Sequence, residues 1–253
     1  MNPERLLQNF DRLINTPDAV PRLRRFILDL AVRGKLVEQN PEDEPAATVE
    51  SLDVSFHLPS SWCWKSVRDL GITQTGSTPP TGEQHHYNGH IPFIKPAAIS
   101  EGVINYGGQG LTESGVRESR VVQAGAILMV CIGGSIGKAA LVNQTVCFNQ
   151  QINSVSTNEG IDAHYVLIAM QSPYFKARVV DTAAQGTLPI ISKGKWERLL
   201  IPLPPLAEQQ RIVAKVDELM KLCSELEAHL TTNMTVSRKL LEATLQEAIG
   251  ANF

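Results

Sequence analysis

The segment Gly133-Gly134-Ser135-Ile136-Gly137-Lys138 carries the residue types of a phosphate cradle: glycines that expose backbone N–H groups, a hydroxyl and a cation. A nucleotide-binding P-loop needs four residues between its glycines and a hydroxyl after its lysine to hold magnesium. Here three residues separate Gly133 from Gly137, and Ala139 follows Lys138, so the NTPase reading fails on both counts. What remains is a tight turn, either a plain hairpin or one that offers N–H groups, Ser135 and one ammonium to a nucleic-acid phosphate.

Other chemistry is excluded or weak. A methyltransferase acting on a base amine wants an Asn/Asp-Pro-Pro-aromatic clamp, yet Thr78-Pro79-Pro80-Thr81 and Leu203-Pro204-Pro205-Leu206 lack both the acid or amide before and the aromatic after. His85, His86 and His90 share a polar loop with Tyr87 and Asn88. Read as having no carboxylate or cysteine at ligand spacing, they predict a solvated loop and no metal. Cys63, Cys131, Cys147 and Cys223 form no Cys-x-x-Cys pair and read as small core residues. No Ser-His-Asp or Cys-His set emerges from position alone.

The elements that must position these residues follow from periodicity. Leu6, Leu7, Phe10, Leu13 and Ile14 repeat at helical spacing, as do Leu23, Phe26, Ile27, Leu30 and Ala31 after Pro17 and Pro21, with Gly34 as a stop. Residues 36–60 carry six acids and no Lys or Arg, with Pro41, Pro45 and Pro59, which predicts an acidic surface linker with one short helix near Thr48 to Leu52. From Trp62 to Leu203 short apolar runs are cut by Gly, Pro, Asn and Ser: Ile91 to Ile94, Val121 to Val122, Ala126 to Ile132, Ala139 to Val142 and Ile152 to Val155. These predict strands of a curled, mostly antiparallel sheet, beside a helix pair at Asp162 to Met170 and Tyr174 to Val180.

After the Pro204-Pro205 entry, Ile212, Val216, Leu219, Cys223, Leu226 and Leu230 fall at alternating steps of four and three, a coiled-coil seam. Those six are the expected dimerisation residues, although the N-terminal helices are a second candidate partner. The poor helix formers Thr231, Thr232, Asn233, Thr235 and Ser237 predict a stutter or break. The fold class is thus α+β: an N-terminal helical region and linker at 1–58, a curled β domain at 59–204, and a coiled-coil-like helical region at 205–253.

With 253 residues, 43% hydrophobic and 19% charged, and no apolar run near the ~20 residues that cross a bilayer, the expectation is a soluble protein. The opening Met1-Asn2-Pro3-Glu4-Arg5 shows no charged-then-apolar leader, which argues against export, and the four scattered cysteines make the cytoplasm the expected location. The net charge of −3 provides no global signature of nucleic-acid binding, so that reading must rest on a local face.

Ordered motifs carry a resemblance. Trp62-Cys-Trp-Lys with Asp69-Leu-Gly, Gly76-Ser-Thr-Pro79, Ile91-Pro-Phe-Ile-Lys95, Gly133 to Lys138, Asn149-Gln-Gln151, Gly186-Thr-Leu-Pro-Ile-Ile-Ser-Lys193 and Ile201-Pro-Leu-Pro-Pro-Leu-Ala-Glu-Gln-Gln-Arg-Ile-Val213 resemble the specificity subunit of Type I restriction-modification systems. Leu23 to Val37, followed by Asp43-Glu-Pro-Ala46, is similar to that family's N-terminal region. A typical member resembles two such units in tandem, whereas one recognition domain and one helical tail stand here, so the sequence is similar to a half-subunit.

The resemblance implies sequence-specific recognition of double-stranded DNA and no catalytic residues. It implies a partner modification subunit that methylates adenine with S-adenosylmethionine, and a restriction subunit that cleaves. Expected DNA contacts are Ser77, Thr78, Lys95, Ser135, Lys138, Gln150, Gln185, Thr187 and Lys193, with cations on phosphates and amides on base edges. Glu208, Arg211, Lys215 and Glu218, with residues 22–37, are expected to face the modification subunit. A second copy of the chain is expected to pair through the seam, which would give a palindromic bipartite target. The rival from another class is a carbohydrate-type binding module on a coiled-coil oligomeriser.

Overall fold

The short apolar runs become strands in a computed structural model, which describes residues 18–46, 56–100, 102–183 and 188–250. The expected helix at Leu6 to Ile14 and the short one near Thr48 to Leu52 lie outside those residues. The chain divides into two compact units, Leu28–Ala214 and Met1–Ile27 with Lys215–Phe253.

Two four-stranded sheets build the larger unit. One has the order β2 (Gly71–Thr75), β9 (Ile152–Thr157), β6 (Ile127–Val130), β7 (Ala139–Leu141), antiparallel throughout. The other has the order β4 (Gly110–Leu111), β3 (Tyr87–Ile94), β8 (Val146–Phe148), β5 (Arg120–Val122), with β3 and β8 parallel. Ile94, Val122, Val146 and Phe148 from one sheet meet Leu128, Val130, Ala140 and Ile152 from the other in a shared apolar core. Every residue of β6 is buried, which explains why its sequence is a continuous apolar run rather than an alternating one. β1 (Cys63–Ser66) pairs antiparallel with β10 (Leu200–Leu203), so residues 140 positions apart in sequence, Cys63 and Leu203, stand opposite one another.

Among the helices of this unit, α3 (Ala163–Gln171) and α4 (Pro173–Thr182) are split at Ser172-Pro173, as the proline predicts. Asp162 caps α3 by accepting from the N–H groups of His164 and Tyr165. Shorter turns of helix are α2 (Glu113–Arg117) and α5 (Lys193–Trp196). Helix α1 (Ala19–Val32) ends before Gly34, whose φ of +65° is the left-handed conformation that stops a helix.

The C-terminal helix α6 runs unbroken from Leu206 to Gly250. The expected break at 231–237 is absent because the hydroxyls of Thr231, Thr232 and Thr235 donate to the carbonyls of Glu227, Ala228 and Thr231, four residues back, at 2.8–2.9 Å. Bonded this way, the hydroxyls do not compete for backbone groups from outside the helix.

In the smaller unit Arg24 of α1 reaches α6, donating to Ser224 Oγ at 3.0 Å and pairing with Glu227 at 3.1 Å. The seam is correspondingly used within one chain. Ile212, Val216 and Cys223 are 0%, 3% and 2% exposed, so these three are corrected from dimer contacts to interior residues. Leu219, Leu226 and Leu230 are half-buried, while Met234, Val236 and Leu241 are exposed.

Candidate functional site

Strand register brings several loops to one edge of the larger unit. Val130 at the end of β6 lies opposite Ile152 at the start of β9. Thr75 at the end of β2 lies opposite Asn153, and the ends of β3 and β8 coincide at Ile94 and Phe148. The segments after β2, β3, β6 and β8 therefore emerge together. Backbone bonds stitch them: Gly76 N–H to Ile152 O (3.1 Å), Ser77 N–H to Phe148 O (3.0 Å), Asn149 N–H to Ile94 O (3.1 Å) and Cys131 N–H to Gln151 O (2.9 Å). Gly76 is required for this approach, since a Cβ there would fall 2.2 Å from Asn149 O.

The side chains at this edge are polar and held. Thr78 Oγ1 donates to Gln150 Oε1 at 2.6 Å, which commits the glutamine oxygen and leaves its amide N–H groups as the outward donors. Asn149 organises the turn by accepting from the Gln151 N–H and donating to Gln151 Oε1, both at 3.1 Å. Ser119 Oγ donates to Ser77 O at 2.9 Å, which joins the end of α2 to the same loop. Lys95 Nζ bonds Gln109 at 3.0 Å and lies 5.7 Å from the centre of the Phe93 ring.

Ser135 and Lys138 sit in the turn between β6 and β7. That turn is anchored to the segment around Ile190 by bonds from Gly133 N–H to Pro189 O and from Ile191 N–H to Cys131 O. Thus Ser77, Thr78, Lys95, Ser135, Lys138 and Gln150 come together on one edge. Gln185 and Thr187 lie outside the described residues.

Lys193 is paired within the chain. Its ammonium bonds Glu197 at 2.5 Å, and Glu197 also accepts from Thr73 and lies 3.8 Å from Arg68. The Lys193 bond, helped by Thr73, holds the Glu197 carboxyl below the usual range, so this lysine is already engaged in a partly exposed ion cluster of the chain itself.

Glu208 and Arg211 are likewise not the exposed rim expected of them. Glu208 is 1% exposed and accepts from Trp62 Nε1 at 2.9 Å and Gln39 Nε2 at 2.6 Å. Burial pushes its carboxyl up against the pull of those two bonds. Arg211 forms a two-pronged pair with Asp43 at 2.5 and 3.2 Å, and its guanidinium lowers the Asp43 carboxyl. Gln209 bonds Pro204 O and accepts from the Asp162 N–H. The Glu-Gln-Gln-Arg run is thus a clasp that fixes the first turn of α6 against the linker and α3.

Sequence reasoning missed Arg120, which opens β5 opposite Phe148 and is exposed at the same edge. It makes no ion pair among the described residues. Also missed were Leu188 and Ile190, 51% and 44% exposed beside Gly133. No spacing signal could have found them, because only the pairing of distant strands puts them there.

Residues 59–235 match the family profile described as the Type I restriction modification DNA specificity domain. The chain is 26% identical over 291 residues to the EcoAI specificity subunit of Escherichia coli, covering 98% of this chain and 48% of that one. It is 26% identical over 160 residues to the MjaIX specificity subunit of Methanocaldococcus jannaschii, covering 61% and 37%. Among solved structures it is similar in fold to the HsdS subunit from Thermoanaerobacter tengcongensis, with a TM-score of 0.58 at 20% identity over 89% of this chain and 52% of that one. A second, from a structural study of type I R-M complex assembly, has a TM-score of 0.60 at 19% identity, covering 95% and 56%. The chain spans about half the length of the curated relatives it matches.

Proposed function

The chain belongs to the Type I restriction modification DNA specificity domain family, and from that premise we propose that it is the non-catalytic DNA-reading component of a Type I restriction-modification complex. The observation that carries this reading is the convergence of Ser77, Thr78, Lys95, Arg120, Ser135, Lys138 and Gln150 at one edge of two packed sheets. Lys95, Arg120 and Lys138 supply phosphate contacts, and the Gln150 amide supplies a donor to base edges. Leu188 and Ile190 are apolar surfaces suited to a thymine methyl.

Methyl transfer belongs to a partner modification subunit that holds S-adenosylmethionine, and cleavage to a restriction subunit; in that setting the protein works in the cytoplasm. Recognition of a two-part site requires a second reading domain. A second copy, paired through Leu226, Leu230 and the exposed Met234, Val236 and Leu241, would supply it with two-fold symmetry.

The test is single-molecule mapping of adenine methylation in host DNA with and without this gene. Loss of one methylated motif on deletion, restored by the gene, is the expected result. An unchanged methylation pattern overturns the reading.

A further inference from the structure

Glu83, His85 and His86 form a cluster that the DNA-reading role does not use. Their candidate ligand atoms all lie within 4.8 Å of one another. Glu83 Oε2 is 3.0 Å from His86 Nε2 and 3.6 Å from His85 Nε2. Zinc takes imidazole nitrogen and carboxylate oxygen at about 2.0–2.2 Å, which sets neighbouring ligand atoms of a tetrahedral site ~3.4 Å apart. The two separations bracket that value. The carboxylate at ligand spacing, which the sequence reading of this loop did not find, is Glu83, two residues before His85.

The loop is also built to hold the rings still. Thr112 N–H and Oγ1 donate to the carbonyls of His86 (3.0 Å) and His85 (2.8 Å), and Ser114 Oγ donates to His85 O as well. Gly115 packs so closely that a Cβ there would fall 2.2 Å from His86 O. The His86 side chain is only 7% exposed, and its Nδ1 lies 3.2 Å from Ser114 Oγ, the outer contact that orients a ligating imidazole and leaves Nε2 for a metal. The His85 and His86 rings stand 4.1 Å apart. The Glu83 and His85 side chains are 53% and 64% exposed, so a fourth position opens to solvent.

We propose that Glu83, His85 and His86 form a binding site for one divalent transition-metal ion of the zinc class, with a fourth ligand from solvent. Two imidazoles and a carboxylate are the donor set that suits zinc over magnesium or calcium. Bound there, the ion closes the 83–86 turn that leads directly into β3. Tyr87, the next residue, donates to Pro79 O at 2.5 Å, which places the turn beside the loop that carries Thr78.

The test is zinc titration of the tag-free full-length chain by calorimetry, with cobalt(II) absorption as a second readout. The expected result is one ion per chain. His85→Ala and Glu83→Ala, both at exposed side chains, should each weaken binding at least about tenfold, the lower end of what losing mere outer-sphere support costs. His90→Ala, an exposed histidine outside the cluster, should leave binding unchanged. The melting temperature should rise with zinc in the parent chain and not in His85→Ala. Absence of stoichiometric binding, binding undiminished in the Glu83→Ala/His85→Ala chain, or a cobalt spectrum with thiolate charge transfer would each overturn the proposal.

Discussion

At the residue scale, the roles proposed for cations and amides on the candidate edge are separable by experiment. Lys138 makes no ion pair among the described residues, so if it holds a phosphate as proposed, replacing it with alanine removes that contact and little else. Lys138→Ala should weaken all DNA sequences alike and reduce the slope of log affinity against log salt by about 0.9. Gln150→Ala should instead relax preference at one base position while the salt slope holds; equal behaviour of the two variants in a salt-resolved binding series would refute the assignment. Glu197 carries a pH prediction. Its folded carboxyl is held below its ordinary value of 4.5 by Lys193, so it contributes stability above that value and loses it as pH falls through the lowered one. Urea midpoints measured across the acid range should therefore fall less steeply in Glu197→Gln, a variant already less stable at neutral pH.

At the element scale, α6 is two different surfaces in one helix. Its first turns are interior: Ile212 is fully buried, and the Glu208 to Arg211 clasp fixes the helix start. Ile212→Ala should cost about 2–5 kcal/mol by leaving a cavity, read as a lower urea midpoint at unchanged slope. Its later turns are open, with Met234 72% and Leu241 60% exposed. Met234→Glu with Leu241→Glu should leave that midpoint within about 0.5 kcal/mol of the parent, yet shift sedimentation from dimer to monomer. A monomeric parent chain would refute the pairing, and a dimer that survives both charges would place the contact elsewhere.

At the scale of the whole molecule, the proposed pairing of two copies carries a prediction about the form of the DNA target. If two copies provide the two reading domains, the two-fold axis is mirrored as an inverted repeat. Half-site centres near one helical turn apart, roughly 10 base pairs, would flank an unread spacer. The methylated motif from single-molecule mapping checks this directly. Two unlike halves in cells carrying only this chain would mean that a different reading domain is supplied from another protein.

By itself the sequence determined the local pieces: the strand runs, the Ser172-Pro173 split, the Gly34 stop, the first half of the long helix, and motifs ordered enough to carry the family resemblance. Period and turn chemistry act over a few residues, so they are visible in a linear reading. It also brought six of the candidate contact residues into view, because Gly, Ser, Gln and Lys in short loops advertise exposure. What it could not weigh was the partner each side chain finds at long range. Lys193 reads as a free cation until Glu197, itself bonded to Thr73 across 124 positions, takes it up. Glu208 and Arg211 read as a polar rim until Gln39, Asp43 and Trp62 close over them. Arg120 reads as an unremarked surface residue until β5 pairs with β8 and sets it at the edge where the candidate contacts converge. Burial and ion pairing are properties of distant segments brought together, and only the tertiary structure decided them.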